Sequence, residues 1–262
     1  TMAQALADGN LTPYEYHVYP AYLSDSEFEE YQNLTRKITG LRNRSSNDPT
    51  STQTNNRVDG DNDDLERLLF QRANILKRCT SKIDVIDAVL NDLSLHRCLI
   101  YCADMMQLND MSILLNTKQI IHLQYTASTP LKQRQEALKA IANNEVPVLL
   151  AIDCLDEGVD VPVVDQAIIL ASSSNKRQFI QRRGRVLRKA EGKRYATLVD
   201  VIALPPESAG FDARNMLHSE LKRATEMAYL ANNRHSTLLN IERYVQPYGV
   251  LMTELLNGGS DG

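Results

Sequence analysis

From Leu11 to Leu23 apolar and polar residues alternate behind Pro13, a pattern that predicts an extended segment. Ser24 then stands before an acidic turn of Asp25, Glu27, Glu29 and Glu30, which marks a helix amino terminus. Between Gly40 and Asp64 the apolar pattern almost vanishes, with only Leu41 and Val58 among Asn, Asp, Ser, Thr and Arg. That stretch has too little apolar surface for a core and is predicted to be a mobile polar loop. Helices are predicted over 65–78 and 83–93, the second from Ile83, Ile86, Val89, Leu90 and Leu93 at three-to-four spacing.

Beyond this point strands and helices alternate. Strands are predicted at 98–102, 119–123, 146–152, 167–171 and 195–202, with helices over 105–116, 131–143 and from 175 onward. The last part, 213–256, reads as helices interrupted at Pro247. Such alternation predicts an α/β fold with a parallel sheet covered by helices on both faces.

Composition changes this picture little. The 262 residues are 43% hydrophobic and carry a formal charge of −4, so any nucleic-acid contact must come from local basic clusters. Cys79, Cys98, Cys102 and Cys154 form no CxxC pair, and Cys98 and Cys102 share one strand face, which predicts buried structural thiols. No apolar run approaches the roughly 20 residues that span a bilayer, and no signal peptide opens the chain. The expectation is a reduced, cytoplasmic protein with no membrane partner and no metal site of its own.

Two stretches carry candidate chemistry. In Val148-Leu-Leu-Ala-Ile-Asp-Cys-Leu-Asp-Glu-Gly-Val-Asp-Val-Pro162 a buried strand runs into a turn with Gly158 and Asp160. Ligands of parallel sheets bind at the carboxyl ends of strands, where glycine permits close approach and a carboxylate can accept from ribose hydroxyls. A merely polar turn is the equally weighted alternative. In Asn175-Lys-Arg-Gln-Phe-Ile-Gln-Arg-Arg-Gly-Arg-Val-Leu-Arg-Lys189, four arginines crowd two turns. On a continuous helix Gln181, Arg185 and Arg188 would share one stripe, anchored by Phe179, Ile180 and Val186. Guanidinium groups so held suit bidentate contact with phosphate and stabilisation of a transferring phosphoryl group.

Residues 156–162 and Gln-Arg-Arg-Gly-Arg-Val-Leu-Arg (181–188) together resemble motifs V and VI of the superfamily 2 helicases. Cys98–Ala103 resembles motif IV, and Tyr125-Thr-Ala-Ser with Arg134 resembles the segment after it. The resemblance covers about 97–204 and implies a RecA-like lobe, the second of two. It implies that Arg185 and Arg188 reach the γ-phosphate and that Gln181, Asp160, Gly158 and Glu157 face the nucleotide. Tyr125, Thr126 and Arg134 would lie along the nucleic-acid track. ATP and Mg²⁺ are the implied cofactors, held mainly by a first lobe of the same parent, and nucleic acid, DNA in preference to RNA, is the implied partner. The helical run 220–232 resembles DNA repair and restriction-type members. The divisions expected are 1–39 as a linking strand and helix, 40–64 as the polar loop, 65–96 as a helical lead-in, 97–205 as the lobe and 206–262 as a helical extension.

Two departures stand out. Ile152 occupies the place where many members have a phosphate-contacting threonine or serine. No GxxxxGK[ST] loop is present, and Gly192-Lys193 resembles only its end. This lobe alone is therefore expected to be inactive. The alternatives are a RecA-like module that binds nucleic acid or protein without catalysis, and an unrelated nucleotide-binding α/β domain with a chance basic helix.

Overall fold

The computed structural model describes residues 2–47, 55–152, 164–171, 186–190 and 192–257. Its centre is a six-stranded parallel sheet of β1 (Tyr14–Tyr22), β2 (Cys98–Cys102), β3 (His122–Tyr125), β4 (Val148–Ile152), β5 (Gln166–Ile169) and β6 (Ala196–Leu204), ordered β1-β6-β5-β2-β4-β3. Three of the four inner strands, β2, β4 and β5, are apolar runs buried almost throughout, as strands covered on both faces must be. The edge strand β3 is largely exposed. Cys79, Cys98 and Cys102 are free and buried, which raises the thiol pKa of each, while Cys154 lies outside the described residues.

The helices are α1 (Met2–Ala7), α2 (Asp25–Asn47), α3 (Asn55–Arg78), α4 (Lys82–Asp92), α5 (Met105–Thr117), α6 (Leu131–Ala142), α7 (Arg214–Leu230), α8 (Arg234–Val245) and α9 (Met252–Asn257). Ser24 closes a reciprocal cap on α2: its amide donates to Glu27 Oε2 at 2.8 Å, and its Oγ accepts from the Glu27 amide at 3.3 Å. Asp104 Oδ1 accepts from the Gln107 amide at 3.0 Å and starts α5 directly after β2. The helical run ends at Val245, and Pro247 sits in a short 3-10 turn before α9. Among the described residues no helix is long and apolar enough to cross a membrane.

Three expectations are corrected. The loop predicted over 40–64 is mostly helix: α2 continues to Asn47 and α3 begins at Asn55, leaving 48–54 outside the described residues. The two helices flank one another, with Gly40, Leu41 and Arg44 lining the same cleft as Asp64, Arg67 and Leu68. A neighbouring helix supplies what the polar sequence cannot, because most helical stability comes from packing rather than propensity. The strand predicted at 119–123 is β3, displaced to His122–Tyr125, because Gln119 adopts φ +59° and closes the preceding helix. α1 had no counterpart in the sequence reading.

Both chain ends close the sheet. β1 pairs with β6 along all nine residues, and the Leu23 amide donates to the Leu204 carbonyl at 2.8 Å. α7 and α8 hold β1 from outside the sheet plane: Tyr14 Oη donates to the Met227 carbonyl at 2.8 Å and Thr237 Oγ1 to the Tyr16 carbonyl at 2.6 Å.

Candidate functional site

Six parallel strands place all their carboxyl ends on one edge of the sheet, where clefts for ligands form in open α/β folds. β3 delivers Tyr125 and Thr126 to that edge. Thr126 Oγ1 lies 2.8 Å from Ser128 Oγ and 3.0 Å from Thr129 Oγ1, and the Thr126 amide donates to Thr129 Oγ1 at 3.1 Å. This hydroxyl-bonded turn leads to Pro130, which opens α6. Arg134, one turn into α6, places its guanidinium carbon 6.0 Å from the centroid of the Tyr125 ring. The structure thus brings Tyr125, Thr126 and Arg134 together. Tyr125 and Thr126 are only 2% and 5% exposed, so their side chains face this chain's own core and turn, while Ser128 is exposed. Arg134 Nε is buried and has no hydrogen-bond partner among the described residues.

Glu157, Gly158, Asp160, Gln181 and Arg185 lie outside the described residues. Ile152 is half-buried at the end of β4 and packs against the core. Arg188 is described, and it is not on a helix. Val186 is the last helical residue of its stretch, and Arg188 forms an antiparallel bridge with Leu11. Thr12 donates to this segment twice, from its amide to the Leu187 carbonyl (2.7 Å) and from Oγ1 to the Arg188 carbonyl (3.2 Å). Pro13 in turn accepts from the Ala196 amide at 3.0 Å, so Arg188 lies at the edge where β1 and β6 begin. The single stripe expected for Gln181, Arg185 and Arg188 therefore does not extend to Arg188. Its side chain is exposed, and it stands apart from the Tyr125–Arg134 group.

Several buried or half-buried charges were not anticipated from the sequence. Lys82, at the start of α4, is 2% exposed and donates through Nζ to the Leu170 carbonyl. Around it lie Asp200 on β6, which accepts from Tyr16 Oη at 2.8 Å, and Glu220 on α7, which pairs with Arg223 at 2.8 Å. Burial lowers the Lys82 pKa and raises that of Glu220, against the pull of Arg223 and Lys82 on the carboxylate. Lys193 donates to the carbonyls of Val164, at 2.5 Å, and Val186. Burial brings its pKa down to about 8, opposed by Asp165. One signal was visible: Asp200 interrupts the apolar strand Leu198-Val-Asp-Val-Ile202, and a lone carboxylate there needs a buried partner. Among the described residues no three His, Cys, Asp or Glu side chains converge on a metal position.

Residues 81–190 match the family model described as the helicase conserved C-terminal domain. The chain is 30% identical over 129 residues to the DNA 3'-5' translocase XPB2 of Sulfurisphaera tokodaii, covering 49% of this chain and 28% of that protein. It is 32% identical over 104 residues to a Methanocaldococcus jannaschii protein named as a candidate ATP-dependent RNA helicase, covering 39% of this chain and 13% of that one. The chain thus spans under a third of either relative. A solved structure, the C-terminal part of the Fun30 ATPase domain, superposes with a TM-score of 0.49 at 13% identity, over 74% of this chain and 86% of that one.

Proposed function

Because residues 81–190 are a helicase conserved C-terminal domain of the superfamily 2 type, we propose that this chain is the C-terminal motor lobe of an ATP-dependent helicase or translocase. The observation that carries the reading is the order of stretches inside that domain. A buried strand ends at Cys102, the sequence Asp-Glu-Gly-Val-Asp-Val-Pro follows β4, and the arginine-rich sequence follows β5. In this reading a first lobe of the same parent grips ATP·Mg²⁺. Gln181, Asp160, Gly158 and Glu157 close the nucleotide from this side, and Arg185 and Arg188 stabilise charge on the γ-phosphoryl group.

Nucleic acid would run along the strand-end edge past Arg134 and the 126–130 turn. Contacts there are to phosphates and backbone, so no base preference is expected. DNA is the proposed strand, supported by the similarity to a protein named as a DNA translocase. The polar chemistry of the edge suits either nucleic acid. Residues 97–205 are the proposed lobe, with 206–262 as an extension packed on it.

The test uses a parent protein carrying both lobes. Arg185→Ala and Arg188→Ala should each lower kcat by roughly 10³-fold or more while KM for ATP changes little, because an arginine finger acts in the transition state. Hydrolysis within a few-fold of wild type in both variants would remove the finger assignment. Absence of ATPase in the wild-type parent would favour a binding module.

A further inference from the structure

A cavity of about 430 Å³ lies between the first half of α2, the middle of α3 and the start of α7. Its walls come from residues that precede and follow the 81–190 domain in sequence. Phe28, Tyr31 and Met216 form an apolar side, and Arg36 and Arg72 are the charged groups. Gln32, Thr35, Asn215 and Ser219 add amides and hydroxyls, and among the described residues no carboxylate lines the space. The whole chain carries a formal charge of −4, so two guanidiniums without an acid depart from its average surface.

Arg72 is half-buried, and its guanidinium carbon stands 5.5 Å from the centroid of the Tyr31 ring. A guanidinium has five N–H donors and cannot shed its charge. Here Nη1 reaches Thr35 Oγ1 at 3.4 Å, and no carboxylate among the described residues forms an ion pair with Arg72. Glu220 shares with Arg72 an adjoining cavity of about 310 Å³, but Arg223 holds that carboxylate at 2.8 Å. Covering Tyr31 does not explain the choice, because a leucine would do so without the cost of drawing an uncompensated charge out of water. A guanidinium stacked on a ring at a cavity wall is instead prepared for an anion from outside the chain. Arg36, the second cation, also lines the α2–α3 cleft, where Lys37, Arg44 and Arg67 face a single acid, Asp64. Those cations raise the local concentration of anions at the mouth of the cavity.

We propose that this cavity is a binding site for a small phosphate monoester, with its phosphoryl oxygens on Arg72 and Arg36 and its carbon body against Phe28 and Met216. The charges match, since a monoester carries about −1.5 to −2 at neutral pH and faces two guanidiniums. The planar fork of arginine suits two oxygens of one phosphoryl group. The volume falls in the range of roughly 300–1,000 Å³ found for small-molecule sites. A nucleic-acid backbone fits less well. It has one charge per phosphate and must leave on both sides, whereas Tyr31 and Met216, 9% and 2% exposed, close the floor. An occupant would bridge the α2–α3 pair and α7, elements that stand on either side of the helicase domain in the chain.

Isothermal titration calorimetry of the 262-residue chain with phenyl phosphate, at fixed ionic strength, tests the site. Wild type should saturate with a Kd below about 10 mM, and no saturation by that concentration overturns the proposal. Arg72→Gln and Arg36→Gln should each raise Kd roughly tenfold, because each removes charge-assisted bonds. Arg36 is exposed, so Arg36→Gln keeps the test decisive should Arg72→Gln fail to fold. An unchanged Kd in either folded variant overturns the proposal. So does an equal loss in Lys139→Gln, on α6, which would reduce the effect to general charge. A short unphosphorylated oligothymidylate is the competing arm. If it binds through Arg72 while phenyl phosphate does not bind, the cavity belongs to a strand track and the assignment falls.

Amide hydrogen exchange locates the ligand independently. Saturating phenyl phosphate should slow exchange roughly twofold or more in peptides covering 28–36, 69–76 and 215–223, with β2 unchanged. Equal exchange with and without the ligand overturns the proposal. Neither measurement involves ATP hydrolysis, so both stand whether or not the parent is a motor.

Discussion

Lys193 shares a cavity of about 350 Å³ with Glu15, His96, Arg97, Asp165, Arg194 and Tyr195, at the edge where the strands begin. Its pKa, lowered to about 8, sits below the ordinary lysine value of 10.5. Between those two values the unfolded chain binds more protons than the folded one, so this group adds stability as pH rises. Comparing wild type with Lys193→Met from pH 7 to 10, the Tm difference should shift in favour of wild type. A Tm difference that stays flat over that range would contradict this. A second residue-scale expectation concerns Arg134, whose guanidinium stands over the Tyr125 ring. Single-strand binding should be weak, and Arg134→Ala should weaken it further and reduce the salt slope by about 0.7. Fluorescence anisotropy with a salt titration measures both, and tight binding at high salt would point to a dedicated recognition module.

At the scale of elements, the α2–α3 pair shows what composition conceals. Ile38, 2% exposed, and Leu34 anchor α2 in the core, and the polar turns beyond them continue as helix beside α3. Replacing 48–54 with a Gly-Ser linker should leave Tm nearly unchanged, whereas Ile38→Ala should cost about 2–5 kcal/mol in a denaturant titration. Equal losses from the two changes would mean that the connection itself is structural. β2, β4 and β5 were legible because strands buried on both faces are continuous apolar runs, and no other short element reads that way. β3 was misplaced by three residues because Leu123 and Gln124, on opposite faces of this edge strand, are both exposed, so nothing in the pattern fixes its register. At the site, Thr126 and Arg134 could be picked out by type and position. Lys82 and Lys193 could not, since a lysine at a helix start or after a glycine ordinarily faces water. Their roles depend on carbonyls 88 and 29 residues away.

Across the whole molecule, one arrangement constrains how the chain reaches its native state. β1 lies beside β6 in parallel register, Tyr14 opposite Ala196, and is held from behind by Met227, Asn233, Thr237 and Tyr244. The ends of the chain must therefore meet across nearly its full length before the sheet is finished. Contacts so distant in sequence are slow to form, because the entropy of closing the loop is lost before the pairing rewards it. During synthesis β1 emerges before the other strands of this sheet and must wait, unpaired, until β6 leaves the exit tunnel. A fragment cut to 81–190 would keep β2 to β5 yet lose both β1 and β6, leaving the Gln166–Ile169 strand as a bare apolar edge that invites aggregation. For synthesis in the cell, a stall or truncation before Ala196 would leave Tyr14–Tyr22 without its parallel partner strand, which makes translation through β6 the step that lets this sheet be finished.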